Sequence, residues 1–407
     1  ITTIEESAFY GCSKFRGSLV IPDSVAIIGR RAFSGCSGFD GTLKISSLVH
    51  SIGEAAFSGC FGLTGSLSLP DFVETVRSNL FSGCSGLNGT VKLGSAVATI
   101  SEGAFMGCTR LRGPLEVPSS VMSIERGAFL GCSSLDGNLT LPKKLTKISN
   151  FLFANCRGLN GYLAIPEEVV YIGQGSFSGC QKLTGDLIIP NRVSQIGKSA
   201  FSLCAGFNGR LKLSSELNSI GEFAFYGCSQ FQGELNLPYS LSSINESAFY
   251  GCFGLTGSLR IPNNVSRIGE RCFFGCFGFN GTIEITDSIE KIEPFTFYGC
   301  CQLKGDLAIP DNVVQIGISS FAGCSELNGR LSLSKHLVSI GENAFFKCHR
   351  LKGELEIPNS VSKIGSGAFF ECSEISGDLI LPYSLDMIES NTFYGCSQLK
   401  LVEIPND

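Results

Sequence analysis

Residues 257–280 read GSLRIPNNVSRIGERCFFGCFGFN, and near-copies of this line follow one another along the whole chain of 407 residues. Cysteines stand every 24 residues from Cys12 to Cys396, seventeen in all, and a phenylalanine precedes each by three positions. Only Cys272 and Cys301 lie off this ladder. A period of this kind must be read before any domain count is attempted, because it is the signature of a stacked-repeat architecture.

Each part of the line has a physical reading. In G-x-L-x-I, Leu259 and Ile261 alternate with Ser258 and Arg260, the period-2 signal of a short strand with one buried face, and Pro262 ends it. Val265 and Ile268 turn apolar side chains inward again, predicting a second short extended segment closed at Gly269. The A-F-x-G-C portion is too short for an independent helix. It predicts a single helical or 3-10 turn that drops Phe273 and Cys276 into the interior. One unit cannot enclose a core by itself, so its apolar side chains must be buried against the next copy. The expected architecture is a repeat solenoid with short parallel strands, about 17 stacked 24-residue coils, forming one continuous body over residues 1–407. The chain opens at Ile1 in mid-repeat, so it is expected to be part of a longer one.

A slower rhythm overlies the period. GDLIIPNRVSQIG at 185–197 matches GDLAIPDNVVQIG at 305–317, and the proline is missing in step at Gly94, Ser214 and Ser334. The offset of 120 residues predicts a five-coil super-repeat.

Composition removes several functions. Net charge is −5, and Lys and Arg never form a run, so the electrostatic footprint of a nucleic-acid binder is missing. No apolar stretch is long enough for a transmembrane segment. The three histidines, His50, His336 and His349, have no Ser or Cys partner at a catalytic spacing, and the thiols are distributed one per coil rather than converging as metal ligands. Neither an enzyme nor a metal or other cofactor is expected. Gly173, Gly175 and Gly179 have the wrong spacing for a phosphate loop, and in Lys304-Gly305-Asp306, an integrin-like tripeptide, Gly305 is the repeat glycine.

The pattern LxIPxxVxxIGxxAFxGCxxL resembles the BspA-like class of leucine-rich repeats, over essentially the whole chain. The usual unit of that class has 23 residues. Here the glycine of L-x-G-x-L is the apparent addition, and the last coil, Leu399 to Pro405, lacks it. The resemblance implies a cell-surface or extracellular protein used for adhesion, with a host, matrix or neighbouring-cell protein as partner. A structural rod or filament element that self-associates is the alternative.

The ladder thiols are expected to be buried and free, acting as small apolar groups. Cys272 and Cys301 are the candidates for reactive or pairing thiols. Sequons at Asn88 and Asn280 fall in the L-N-G turn and are candidate glycosylation sites. The outward positions of the G-x-L-x-I strands form the candidate binding face. Its charges are of mixed sign and its one aromatic is Tyr162, which favours protein partners over glycans. Arg and Tyr dominate protein-binding hot spots, which points to Tyr162, Arg210, Lys212, Arg260, Arg330 and Glu354. The period also predicts two acid-arginine-acid ladders along this face, Asp186-Arg210-Glu234 and Asp306-Arg330-Glu354, with neighbours about 5 Å apart.

Overall fold

The protein is described by a computed structural model covering residues 1–404; Pro405, the last proline of the repeat pattern, lies outside the described residues. Two compact units divide at Phe207 and Asn208, and each is built in the same way.

In the first unit, most coils contribute two short strands to two parallel tracks, the coil of Glu116 giving only a single bridge to Lys92 in place of one of them. Leu19–Ile21 pairs with Leu43–Ile45, Leu19 facing Leu43 and Ile21 facing Ile45. Thr3–Ile4, Ile27–Ile28 and Ser51–Ile52 form the second track. The register is one coil in both, so identical positions stack and the buried residue of one coil lands on its counterpart. The second unit repeats the scheme, with Leu259–Arg260 on Ile283–Glu284 and Lys291–Ile292 on Gln315–Ile316.

The third side of each coil is a turn, and here the expected helical or 3-10 turn is replaced by a chain of β-turns. No helix occurs among the described residues. The reason is visible in the coil around Phe33. The N–H groups of Ala32, Ser34 and Cys36 bond back three residues, to Gly29, Arg31 and Phe33. Those of Arg31, Phe33 and Gly35 bond outward to Glu54, Ala56 and Ser58 of the next coil, at 2.7 to 2.8 Å. The alternation requires left-handed residues at Arg31 (φ 53°) and Gly35 (φ 75°), which a helix cannot contain. The turn side therefore carries an intercoil hydrogen-bond ladder of its own.

Inside this triangle the phenylalanines stack. From Phe9 to Phe201 successive ring centroids are 5.1 to 5.9 Å apart with planes within 15°. From Phe225 to Phe393 they are 5.2 to 5.8 Å apart. Offset stacking at this spacing adds about 0.5–1.5 kcal/mol per pair to the burial of the rings.

The ladder thiols sit beside them as free groups, buried in every coil except at Cys12 and Cys396, which are half-buried. Their S–H groups donate to the carbonyl of the phenylalanine one coil back, as from Cys60 to Phe33 at 3.1 Å, Cys132 to Phe105 at 3.1 Å and Cys276 to Phe249 at 3.1 Å. Burial pushes the Cys60, Cys180 and Cys348 thiols up to about 12.

Candidate binding face

The L-x-I strands are two or three residues long up to the last two, Ile375–Ile380 and Gln398–Glu403, and their alternation decides what faces out. Leu259 is buried and Arg260 exposed; Leu331 is buried and Arg330 before it exposed. By the same alternation Tyr162, Asp186, Arg210, Lys212, Glu234, Asp306 and Glu354 are all exposed. Tyr162 stands 52% exposed in the first unit, with its backbone N–H bonded to Asn138 Oδ1 at 3.2 Å.

The track is interrupted. Gly233–Glu234 pairs with Leu255–Thr256, and Gly353–Glu354 with Ile375–Ser376, a register two residues short of a full coil. The slip falls at left-handed glycines, Gly233 (φ 80°) and Gly353 (φ 86°). After Glu234 the strand no longer lies on its successor, and a shallow groove of about 490 Å³ opens. Glu234, Tyr239, Arg260 and Glu284 line it. Arg260 Nε meets Glu284 Oε1 at 3.2 Å, and both side chains remain more than half exposed.

This groove brings together Glu234 and Arg260 from the sequence-predicted face. It adds Tyr239, 82% exposed, which the strand positions did not reveal. Its signal is the Pro238-Tyr239-Ser240 turn, because the repeat usually has a small polar residue after proline.

The Asp306-Arg330-Glu354 set does not stack as a run of side-chain ion pairs. The Asp306 carboxylate instead accepts from the backbone N–H of Arg330 at 2.8 Å. Arg330 bridges Lys352 rather than Glu354, since the slip at Gly353 moves the register. The Arg330 side chain lies along Gly353. Of the other set, Asp186 belongs to the first unit while Arg210 and Glu234 belong to the second; Arg210 lies along Gly233 in the same manner. Intercoil pairing of opposite charges does occur elsewhere, at Arg30 with Glu6, Arg192 with Glu168, Lys335 with Asp311 and Arg350 with Glu326. All are exposed pairs, which solvent screens and which add little to stability.

Asn88 and Asn280 are exposed, as the L-N-G turn predicts. Each Oδ1 also accepts the N–H of a glycine one coil back, Gly65 at 2.9 Å and Gly257 at 3.0 Å. Asp40, Asn160 and Asn328 do the same for Gly17, Gly137 and Gly305. These side chains cap the preceding coil, a role that the sequon reading alone missed.

Cys272 corrects an expectation. It is fully buried, and burial holds its thiol well above the ordinary range, so the thiolate that reactivity needs is suppressed. Cys301 is half-buried and is the more accessible of the two. Among the described residues no group of His, Cys, Asp and Glu could hold a metal ion, and no helix is long and apolar enough to cross a membrane.

Comparison with known proteins places this geometry in a family. The model of the BspA type leucine rich repeat region matches residues 2–135, 100–209, 204–328, 255–353 and 328–407. No curated protein matches the chain. Among solved structures, a leucine-rich repeat protein from Bacteroides ovatus is 28% identical, covers 87% of this chain and 88% of its own, and superposes with a TM-score of 0.69. A leucine-rich cell surface protein from Faecalibacterium prausnitzii is 19% identical over 100% of this chain and 84% of its own, with a TM-score of 0.33. A leucine-rich repeat protein of T. pallidum is 29% identical over 41% of this chain and 77% of its own, with a TM-score of 0.36. With a family model spanning nearly its whole length and a coil built as the repeat dictates, the chain belongs to the BspA-type leucine-rich repeat family.

Proposed function

We propose that the chain is a non-catalytic, surface-displayed or secreted solenoid that binds another protein through its strand face. The observation that carries this reading is the groove after Glu234, where a tyrosine, an arginine and two carboxylates converge on a surface already formed by the backbone. Arg and Tyr held on rigid elements are what hot spots are made of, and preorganisation lowers the entropic cost of association. The mixed sign of the charges favours a protein of complementary pattern over a polyanion. Surface display follows from the resemblance to the BspA class.

The test is a biosensor titration of the chain against a panel of purified extracellular-matrix proteins. Saturable binding is expected for at least one of them. The double variant Tyr239→Ala, Arg260→Glu should weaken it by about tenfold or more, equivalent to about 1.4 kcal/mol, without moving the melting temperature. Binding that survives the double variant unchanged would remove the groove from the account. Concentration-dependent polymers by light scattering, with no matrix binding, would instead support a structural rod.

A further inference from the structure

The residue directly after the core phenylalanine faces out of the turn side, and in four consecutive coils of the second unit it is an aromatic rung. Tyr226, Tyr250, Phe274 and Tyr298 stack with ring centroids 4.8, 4.7 and 4.6 Å apart. A second row runs beside them. Phe253 and Phe277 follow the ladder cysteines of the two middle coils, stack at 5.2 Å, and stand 47% and 44% exposed. Their rings lie over the glycine row next to the rungs: a Cβ on Gly275 would meet Phe253 Cε1 and Phe277 Cζ at 3.6 Å. In the two outer coils the residue three before the rung adds a ring, Phe223 at 5.9 Å from Tyr226 and Phe295 at 6.1 Å from Tyr298. Both hold left-handed backbone, φ 56° and 57°, which bulky side chains rarely adopt.

This face is not part of the repeat. In the first unit the rung position is mostly small, as at Ser34, Ser58, Ser82, Ser178 and Ser202, and the position after the cysteine is mostly polar, as at Ser37, Ser85 and Ser133. Those coils close on the same core, so the outer rings are not needed for folding. The later run of Phe346, Phe370 and Tyr394 has rungs but no second row, because His349 and Ser373 follow its cysteines. A contiguous apolar surface of this kind marks an interaction site.

The layout of the four coils reads the same from both ends, which is the condition for an isologous contact between two copies. Laid face to face and antiparallel, with the two-fold axis between the coils of Tyr250 and Phe274, the copies set Tyr226 on Tyr298, Phe223 on Phe295, Phe253 on Phe277 and Tyr250 on Phe274. Aromatic surface meets aromatic surface at every rung. A second copy also carries the same rung spacing of 4.6 to 4.8 Å, so all rungs come into register together, whereas an irregular surface matches one. The charges agree with this pairing. Arg271 holds its own Glu270, while Glu246, one coil back, has no ion pair among the described residues. The same axis brings Glu246 of each copy against the Glu270–Arg271 pair of the other, and a guanidinium has donors for two carboxylates.

We propose that this aromatic face is the contact surface of a weak, closed, antiparallel dimer of the chain. The face is about 19 Å long at four strand spacings, which puts it at the small, transient end of specific interfaces. Its two-fold axis stops association at two copies and builds no filament. The strand-face groove lies on another side of the coil and stays free, so the dimer goes beyond the binding reading without resting on it.

Sedimentation velocity of the full chain from about 2 to 200 μM tests the proposal. The sedimentation coefficient should rise with concentration from monomer toward dimer, with no larger species. Phe253→Ser with Phe277→Ser copies Ser229 and Ser325 of nearby coils, should leave the melting temperature unchanged, and should weaken association about tenfold or more. Arg271→Glu should weaken it about threefold or more, and adding Glu246→Arg should restore it by exchanging the two charges. A monomer at every concentration, association unaltered by the serine pair, or growth beyond the dimer overturns the proposal. So does a dimer abolished by Tyr239→Ala, Arg260→Glu, which would move the contact to the strand-face groove; loss of matrix binding in that variant with the dimer intact keeps the two surfaces separate.

Discussion

Cys60 condenses the chemistry of the interior into one side chain. Its thiol is small enough for the space beside stacked rings, and it donates to the Phe33 carbonyl one coil back. Burial disfavours the thiolate, raising its titration from 9.0 to about 12. The pH consequence follows from that direction. The folded state holds its thiol protons more tightly than the unfolded chain, so the contribution is fully present below about pH 9 and is lost as pH rises toward 12. Each thiol contributes up to about 1.4 kcal/mol per pH unit in that window. Sixteen cysteines are buried, so a fraction of them matches the whole stability of an ordinary domain. Thermal melts between pH 8 and 11 should show the melting temperature level to about pH 9 and falling steeply above it. A level profile to pH 11 would mean the thiols are not buried donors.

The turn is the element that the sequence conveyed least. Phe273 and Cys276 were legible as inward-facing because their spacing is invariant, but their spacing is equally compatible with a helical turn. What decides against the helix is the pair of left-handed residues, and one of the two positions is filled by Arg31, Phe151 or Ser199 as readily as by glycine. The requirement at that position is imposed by bonds to the next coil, which no single unit displays. The other position does use glycine, and Gly131 (φ 75°) illustrates why. A Cβ there would meet nothing nearer than Gly107 Cα at 3.9 Å, so space is not the obstacle. Gly131→Ala should cost about 1 kcal/mol purely through the left-handed conformation, and Gly131→Asn less, as Asn155 already occupies the equivalent position. Chemical denaturation of both variants checks the order; an alanine variant as stable as the parent would show that the turn relaxes.

The strands tell a parallel story. The buried leucines were plain from alternation, and the exposure of Tyr162, Arg260 and Arg330 followed from it. The register slip at Gly233 and Gly353 was not plain, because both coils carry the same L-x-I letters as their neighbours. The slip is what replaces a smooth charged track with a groove and draws in Tyr239. We propose that these two slips, 120 residues apart, are corresponding parts of the five-coil super-repeat. The sign of φ at the corresponding glycine supports this, being positive at Gly113, Gly233 and Gly353.

At the scale of the molecule, each unit is a stack in which every coil is completed by the next. Phe ladder, thiol donors, turn bonds and strand pairs all run between neighbours, and identity from coil to coil is confined to the interior. The exterior varies: mostly small residues at the turn flank of the first unit, mostly aromatics in the second, a groove where the register slips. That division explains why the period revealed the fold so readily and the surface so little. The central claim is that every coil between the first and the last buries its ladder thiol in the same way. The most direct test is intact-mass spectrometry after brief alkylation at pH 8, first on the folded chain and then in denaturant. The account predicts labels on the folded chain only at the half-buried Cys12, Cys301 and Cys396, none at Cys272, and nineteen after unfolding. Extensive labelling of the folded chain, or a shortfall in denaturant from sulfurs already paired, would contradict it.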